Sequence, residues 1–386
     1  MNPWTFGGGM ALTASTMAYS LVATLAARRR RPTPHAAARG AAARARASMP
    51  PVTVFKPLCG AEPETYECLR SFCDQDYPEF EVVFGVADAG DPVVAVVERL
   101  QEEYPRRALR LVIDRHQHGS SRKVSNLLNM MPTARHDYFV IADSDVRVGR
   151  DYLARVVAPL LDAGVGIVTC PYRGVPQPGL WSLMGSQFIN EWFMPSVRVA
   201  ALGGSRAFAF GVTIGLSRRT LARIGGFMAI ADQLADDYRL GEMTRRLGLR
   251  TVLSEVTVDT CVVEHSLGDL VRHELRWLRT IRAVRPMGYC LSVVTFGVPV
   301  AAGGVLLTGG AAPAAMMLAV TAAARILLHL KTRDEGPTLR QLMVLPLRDL
   351  LSVVLWSWSF VTRRVYWRND YFFVNRDGSV LPVARA

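Results

Sequence analysis

Two stretches without a single charged side chain constrain this chain before anything else: residues 4–27 and residues 287–324. The first has the length of one bilayer-spanning helix. Arg28, Arg29, Arg30 and Arg31 follow it at once and open an Ala/Arg/Pro linker running to about residue 50. Nothing charged precedes the apolar run, so the positive-inside rule places the N-terminus outside and all that follows Arg28 in the cytoplasm. A cleaved signal peptide carries its positive charges first and fits this order less well.

The second charge-free stretch is broken by Gly-Gly-Ala-Ala-Pro at 309–313 into two segments of near-spanning length, which predicts a transmembrane hairpin. It returns the chain to the side marked by Lys331, Arg333 and Arg340. A third apolar stretch, 342–361, is interrupted by Pro346, Arg348 and Asp349 and followed by Arg363, Arg364 and Arg368. Full crossing would leave that basic cluster outside, so an interfacial or re-entrant segment is expected, followed by a cytoplasmic tail. The alternative is a fourth span in which Arg348 and Asp349 pair.

Between the membrane segments the pattern is α/β. The runs "VTVFKPL", "FEVVFGVAD", "LRLVID", "YFVIADSD" and "GIVTCPY" read as strands, alternating with helical segments such as "ETYECLRSFCDQ" and "DPVVAVVERLQEEYP". That alternation predicts a mainly parallel sheet with helices on its faces and ligands at the carboxyl ends of its strands. The expected organisation is an anchor at 1–27, a basic linker at 28–50, a Rossmann-like domain at 51–286 and a membrane region at 287–386.

Charge does not point to nucleic acid. The net charge is +12 over 386 residues, but Lys56, Arg122 and Lys123 have no interleaved aromatics, and the arginine-rich linker suits anionic lipid headgroups. Six cysteines show no Cys-x-x-Cys spacing and there are no paired histidines, as expected of reduced thiols. No Walker glycine loop, Gly-x-Ser-x-Gly or internal repeat is found.

Chemistry gathers at strand ends: Asp88, Asp114, and the pair Asp143 and Asp145 after "YFVIA". An isolated Asp-x-Asp is weak, because aspartate favours turns. It is also the way two carboxylates are offered to a hard divalent ion whose shell a diphosphate completes. Asp236 and Asp237 enter a helix; one carboxylate there suits the helix dipole, and a second is available as a general base. Further on, Arg272, Arg276 and Arg279 share a helix face that suits phosphate and lipid headgroups equally well.

Taken in order, "GVADAGDP", "KVSNL", the Asp-x-Asp, "IGGF", "ADDY", an Arg-Trp helix leading into membrane segments and "WRNDYFF" resemble the processive-type inverting glycosyltransferases. Within that group the chain is most similar to the ceramide glucosyltransferase family, along nearly its whole length. The resemblance implies a GT-A-type domain acting on a UDP-sugar, with Mg2+ or Mn2+. It implies that Asp88 meets the uracil or ribose, and that Asp143 and Asp145 bind the metal, with Asp145 the expected direct ligand and Asp143 also facing the donor. Asp237 is implied as the catalytic base, and Arg276 and Trp277 as holding the diphosphate and lining the acceptor site. Lys123 and Asn126 match a donor-proximal segment. His273 stands where the family motif has Gln or Arg, and is placed by that motif at the acceptor side. The segments "INEWFMPSVRVA" and "FAFGVTIGLSRRTL" look closer to the hopanoid-associated branch. That branch implies transfer of N-acetylglucosamine from UDP-GlcNAc to bacteriohopanetetrol at a bacterial inner membrane; the alternative is glucosylation of ceramide from UDP-glucose.

Overall fold

Strands β1 (Val52–Pro57) and β2 (Phe80–Val86) are buried at every residue, as expected for parallel strands covered on both faces. The computed structural model describes residues 2–27, 49–332, 338–362, 364–367, 370–375 and 379–382. Arg28–Arg31 and most of the basic linker, with Arg333, Arg363 and Arg368, lie outside the described residues.

β3 (Ala108–Ile113), β4 (Tyr138–Ile141), β6 (Val165–Thr169), β8 (Ile214–Ser217) and β9 (Arg250–Leu253) complete a seven-stranded sheet in the order β3-β2-β1-β4-β8-β6-β9. The first four strands are parallel, as the sequence predicts. β8 is antiparallel to both its neighbours, so the sheet as a whole is mixed. The order reverses between β1 and β4, which makes a crevice at their carboxyl ends. Phe72 and Leu100 pack one face of the sheet, and Val124, Leu127 and Met130 pack the other. A smaller sheet joins β5 (Val146–Arg147), β10 (Val258–Val262) and β7 (Tyr172–Pro176).

Among the described residues, three helices are long and apolar enough to cross a membrane: Pro3–Ala26, Ala312–Thr332 and Leu339–Ser359. A fourth crossing is counted if the pair Pro286–Thr295 and Gly297–Leu307 forms one span, but these meet at an angle of 78°. The first leg of the expected hairpin is therefore sharply bent. Pro299 has no N–H to continue the helical ladder back into the preceding turn. The turn between the legs falls where expected, with Gly309 and Gly310 at φ of 64° and 81°. The 342–361 stretch, in contrast, lies almost wholly within one continuous helix, Leu339–Ser359. Its charges are both paired, though not with each other: Arg348 binds Glu274, and Asp349 binds Arg325.

The N-terminal helix and Gly297–Leu307 approach at Gly9 and Gly304. A Cβ on Gly304 would lie 2.1 Å from Thr13 Oγ1 and 2.8 Å from the Gly9 carbonyl. Small residues allow such contact between membrane helices. Gly304→Val is expected to push them apart at a cost of about 1–3 kcal/mol, read as a lowered unfolding midpoint in detergent; an unchanged midpoint would mean the contact is dispensable.

Residues expected to form a tail instead fold as an antiparallel sheet, β11 (Arg364–Trp367), β12 (Asp370–Val374) and β13 (Val380–Pro382). Val365 and Phe372 pack with Leu234 beside Ala283. Arg279 donates to the Arg364 carbonyl at 2.6 Å, and Arg282 donates to the carbonyls of Ser359 and Thr362. Two of the arginines that follow Trp277 thus hold protein backbone.

Candidate active site

The turn after β4 carries both aspartates and is braced from beneath. Lys56, the penultimate residue of β1, is fully buried, lies 3.9 Å from the centre of the Phe72 ring and donates to the Asp143 carbonyl. Burial lowers its pKa to about 8, while Cys68, Asp145 and Asp143 favour its charge. Lys56 is a brace, then, and Lys123 also turns inward: both were weighed as surface cations in the sequence. Lys123 Nζ lies 2.7 Å from Asp143 Oδ1 and 3.5 Å from Asp236 Oδ2. Its burial works against the ammonium, but Asp143 and Asp236 outweigh that and raise its pKa.

β10 secures the other aspartate. Thr260 Oγ1 donates to Asp145 Oδ2 at 2.6 Å, and the Cys261 N–H donates to the Asp145 carbonyl at 2.9 Å. Burial, and then the charge of Asp143, raise the Asp145 pKa. Two carboxylates crowded in this way are stabilised by a divalent cation, and the all-oxygen pair suits Mg2+ or Mn2+. Among the described residues no group of three or more His, Cys, Asp or Glu is placed to hold a metal. The fit is therefore to a two-carboxylate site whose remaining ligands come from a diphosphate or water.

Asp236 and Asp237 open the Asp236–Arg246 helix, as expected. Asp237 accepts N–H bonds from Gly211 to Oδ2 and from Tyr238 to Oδ1, each 2.7 Å. Burial, and then the charge of Asp236, raise its pKa to about 6. Gly211 is the point on which these groups converge. A Cβ there would lie 3.0 Å from Lys123 Nζ, 3.1 Å from Asp143 Oδ2 and 3.5 Å from Asp237 Oδ2.

An aromatic wall stands beside the carboxylates. Trp277 packs against Phe193, Phe188 and Tyr172 at 5.6, 6.1 and 6.4 Å between ring centres. Tyr172 has its phenol pKa raised by burial and then by Asp237, Asp143 and Asp145, so it belongs to the same site. His273 meets Trp277 edge-on at 5.2 Å, and its Nδ1 lies 2.6 Å from Glu264 Oε1. Arg276 precedes Trp277 on the Leu267–Val284 helix.

Two of the sequence candidates stand apart. Asp88 is exposed beyond β2, where its Oδ1 accepts the Gly90 N–H at 2.9 Å. Asn126 is buried, and its amide donates to the Gly85 carbonyl at 2.7 Å; a Cβ on Gly85 would lie 2.0 Å from Asn126 Oδ1. Its contacts pin a helix to β2. Sequence reasoning did not find Thr260, Gly211, Tyr172 or Glu264. Lys56 left a usable signal, a lysine inside a strand otherwise uncharged.

The sheet order, the acidic turn after β4 and the membrane-length helices define a GT-A-type glycosyltransferase fold joined to a membrane region. A mannosyltransferase from Pyrobaculum calidifontis, solved in complex with GDP-Man and Mn2+, has this fold. It aligns with a TM-score of 0.51 at 22% identity, covering 92% of this chain and 95% of that one. The profile of Glycosyl transferase family 21 matches residues 9–380, and the chain belongs to that family. Ceramide glucosyltransferase of Komagataella phaffii is 37% identical over 113 residues, 28% of this chain and 22% of that protein. Ceramide glucosyltransferase 3 of Caenorhabditis elegans is 20% identical over 349 residues, 87% of this chain and 75% of that one. The match to the yeast enzyme thus spans under a quarter of that relative's length.

Proposed function

We propose that this chain transfers a sugar from a UDP-sugar to a lipid hydroxyl, in one displacement that inverts the anomeric centre. The observation that carries this reading is the placement of Asp237: a buried carboxylate oriented by two backbone N–H groups, beside the Lys123–Asp143 pair and an aromatic wall. Asp237 takes the proton of the acceptor hydroxyl as its oxygen attacks the anomeric carbon. Trp277 and Tyr172 exclude water and position the acceptor. Lys123 and Arg276 set positive charge where the diphosphate departs. Asp143 and Asp145 would hold Mg2+ or Mn2+, which supplies charge neutralisation for the leaving UDP. Asp88 reaches the nucleoside end from the rim, and His273, oriented by Glu264, faces the acceptor.

A base works only when ionised, so kcat/KM is expected to fall as pH drops through about 6 and to level above it, following the pKa of Asp237 in the free protein. A profile of kcat/KM from pH 5 to 8 checks this. An acid limb at the ordinary carboxylate value would contradict it.

For the acceptor, the named relatives support ceramide with UDP-glucose. The segments around 190–220 support bacteriohopanetetrol with UDP-GlcNAc. The basic block after Arg28 supports a cytoplasmic catalytic domain at a bacterial inner membrane. The deciding experiment incubates detergent-purified protein with Mg2+, both donors and both lipids, and reads products by mass spectrometry. Hexosylceramide selects the first reading and N-acetylhexosaminyl hopanoid the second. No transfer to either lipid would overturn the lipid-acceptor assignment.

A further inference from the structure

A narrow crevice lies where the catalytic domain meets the membrane helices, lined by Tyr19, Thr24, Gln187, Glu191, Arg325 and Asp349, among others. Its charges are satisfied from within. Glu191 binds Arg325 at 2.6 Å and His329 at 2.7 Å, Arg325 also binds Asp349 at 2.9 Å, and Arg348 binds Glu274 at 2.7 Å. The Tyr19 hydroxyl is 2.7 Å from Ser196 Oγ, and Trp192 Nε1 donates to Thr295 at 2.8 Å. Two groups are exceptions: His329 Nε2, on a ring held through Nδ1 by Glu191, and Gln187. The Gln187 side chain is 2% exposed, and neither amide nitrogen nor amide oxygen has a hydrogen-bond partner among the described residues.

Leaving a buried amide unsatisfied is costly, so a partner belongs there. A primary amide asks for a group that both accepts and donates. Both arginines lining the crevice, Arg325 and Arg348, are already paired to carboxylates, so no guanidinium is spare for a phosphate and a neutral group is preferred. The location is equally informative. A π-helical turn, Phe188–Phe193, begins at the next residue, a distortion that is frequent at functional sites. Phe188 and Trp192 line the crevice, and Phe188 also packs on Trp277, 6.1 Å between ring centres. Crevice and acidic site therefore share one aromatic wall.

We propose that this crevice is a specificity subsite for the lipid acceptor, in which Gln187 binds a second, neutral polar group, an amide or a hydroxyl, next to the hydroxyl that is glycosylated. This rests on the lipid-acceptor reading above. It divides the acceptor between two stations: the reacting oxygen at Asp237 and its polar neighbour at Gln187. A lipid with a lone hydroxyl leaves the glutamine unpaired and is bound more weakly.

The test is lipid binding to detergent-purified full-length protein by native mass spectrometry, which does not depend on turnover. The probes are two pairs: ceramide against diacylglycerol, which has a primary hydroxyl and no amide, and bacteriohopanetetrol against a hopanol with a single hydroxyl. Wild type is expected to prefer the first member of one pair by about tenfold. The preferred pair tells a sphingolipid from a polyol. Gln187→Leu is expected to erase the preference, and Gln187→Asn to retain part of it, while UDP binding, measured alongside, stays unchanged and confirms the fold. No preference in wild type, or one that survives in Gln187→Leu with UDP binding intact, overturns the proposal. Should Gln187→Leu also lose UDP binding, the Gln187→Asn protein decides: a preference as large as wild type's then overturns it. Selective lipid binding without sugar transfer would fail the proposed reaction and leave the subsite standing.

Discussion

Asp237→Asn is expected to lower sugar transfer about a thousandfold while UDP binding and the unfolding midpoint stay close to those of wild type. The amide keeps the shape of the carboxylate and can still accept an N–H bond from Gly211 or Tyr238, so the loss isolates the proton-accepting role. Asp236→Asn serves as the contrast. Asp236 faces Lys123, 3.5 Å away, and its replacement removes the charge that helps raise the pKa of Asp237. The pH limb of that variant is expected to move toward lower pH with much smaller loss at pH 8. If both variants lose activity alike, or if Asp237→Asn keeps more than a tenth of it, Asp237 is not the base.

The second large effect is on stability. Arg348, 2% exposed, makes two 2.7 Å bonds to the carboxylate of Glu274, so that a membrane helix is bound to the helix bearing His273, Arg276 and Trp277. Two parallel bonds from one guanidinium fix orientation as well as distance. Removing either partner leaves a buried charge alone, and Glu274→Ala or Arg348→Met is expected to cost about 3–5 kcal/mol. The double variant Glu274→Leu/Arg348→Met is expected to recover most of this, because an apolar pair avoids the desolvation penalty. Thermal unfolding in detergent checks all three. Single variants as stable as wild type would show that packing, not this pair, joins the two halves.

The sequence carried the strands well, because a buried parallel strand is written as a mainly apolar run rich in Val, Ile and Phe: β1, β2 and β4 all lie inside the quoted segments. It did not reveal that β8 runs against its neighbours, since direction leaves no trace in the residues of a single strand. At the site, Asp143, Asp145 and Asp237 were legible from their placement at element ends, and Lys123 and Trp277 from their motifs. The supporting groups were not. Thr260 reaches Asp145 from 115 positions away, and Gly211 reaches Asp237 from 26, through pairings that no local pattern encodes. Charges within apolar helices are silent for the same reason. Arg348 and Asp349 read as interruptions of an apolar stretch, or as a pair, because their actual partners, Glu274 and Arg325, are distant in sequence.

The sheet of β11, β12 and β13 has a consequence for how the protein is made. It comes after every membrane helix in the chain, yet it packs on Leu234 and Ala283 and bridges to Gln233, just ahead of Asp236 and Asp237. The carbonyls held by Arg279 and Arg282 also belong to residues 359–364. A nascent chain can complete the seven-stranded sheet while the ribosome is still translating the membrane helices, but the packing on Gln233, Leu234 and Ala283 must wait for the segment beyond them. The order of synthesis thus places the membrane helices before this last packing step, so that the loop ahead of Asp236 and Asp237 gains its final neighbours only after those helices have been made.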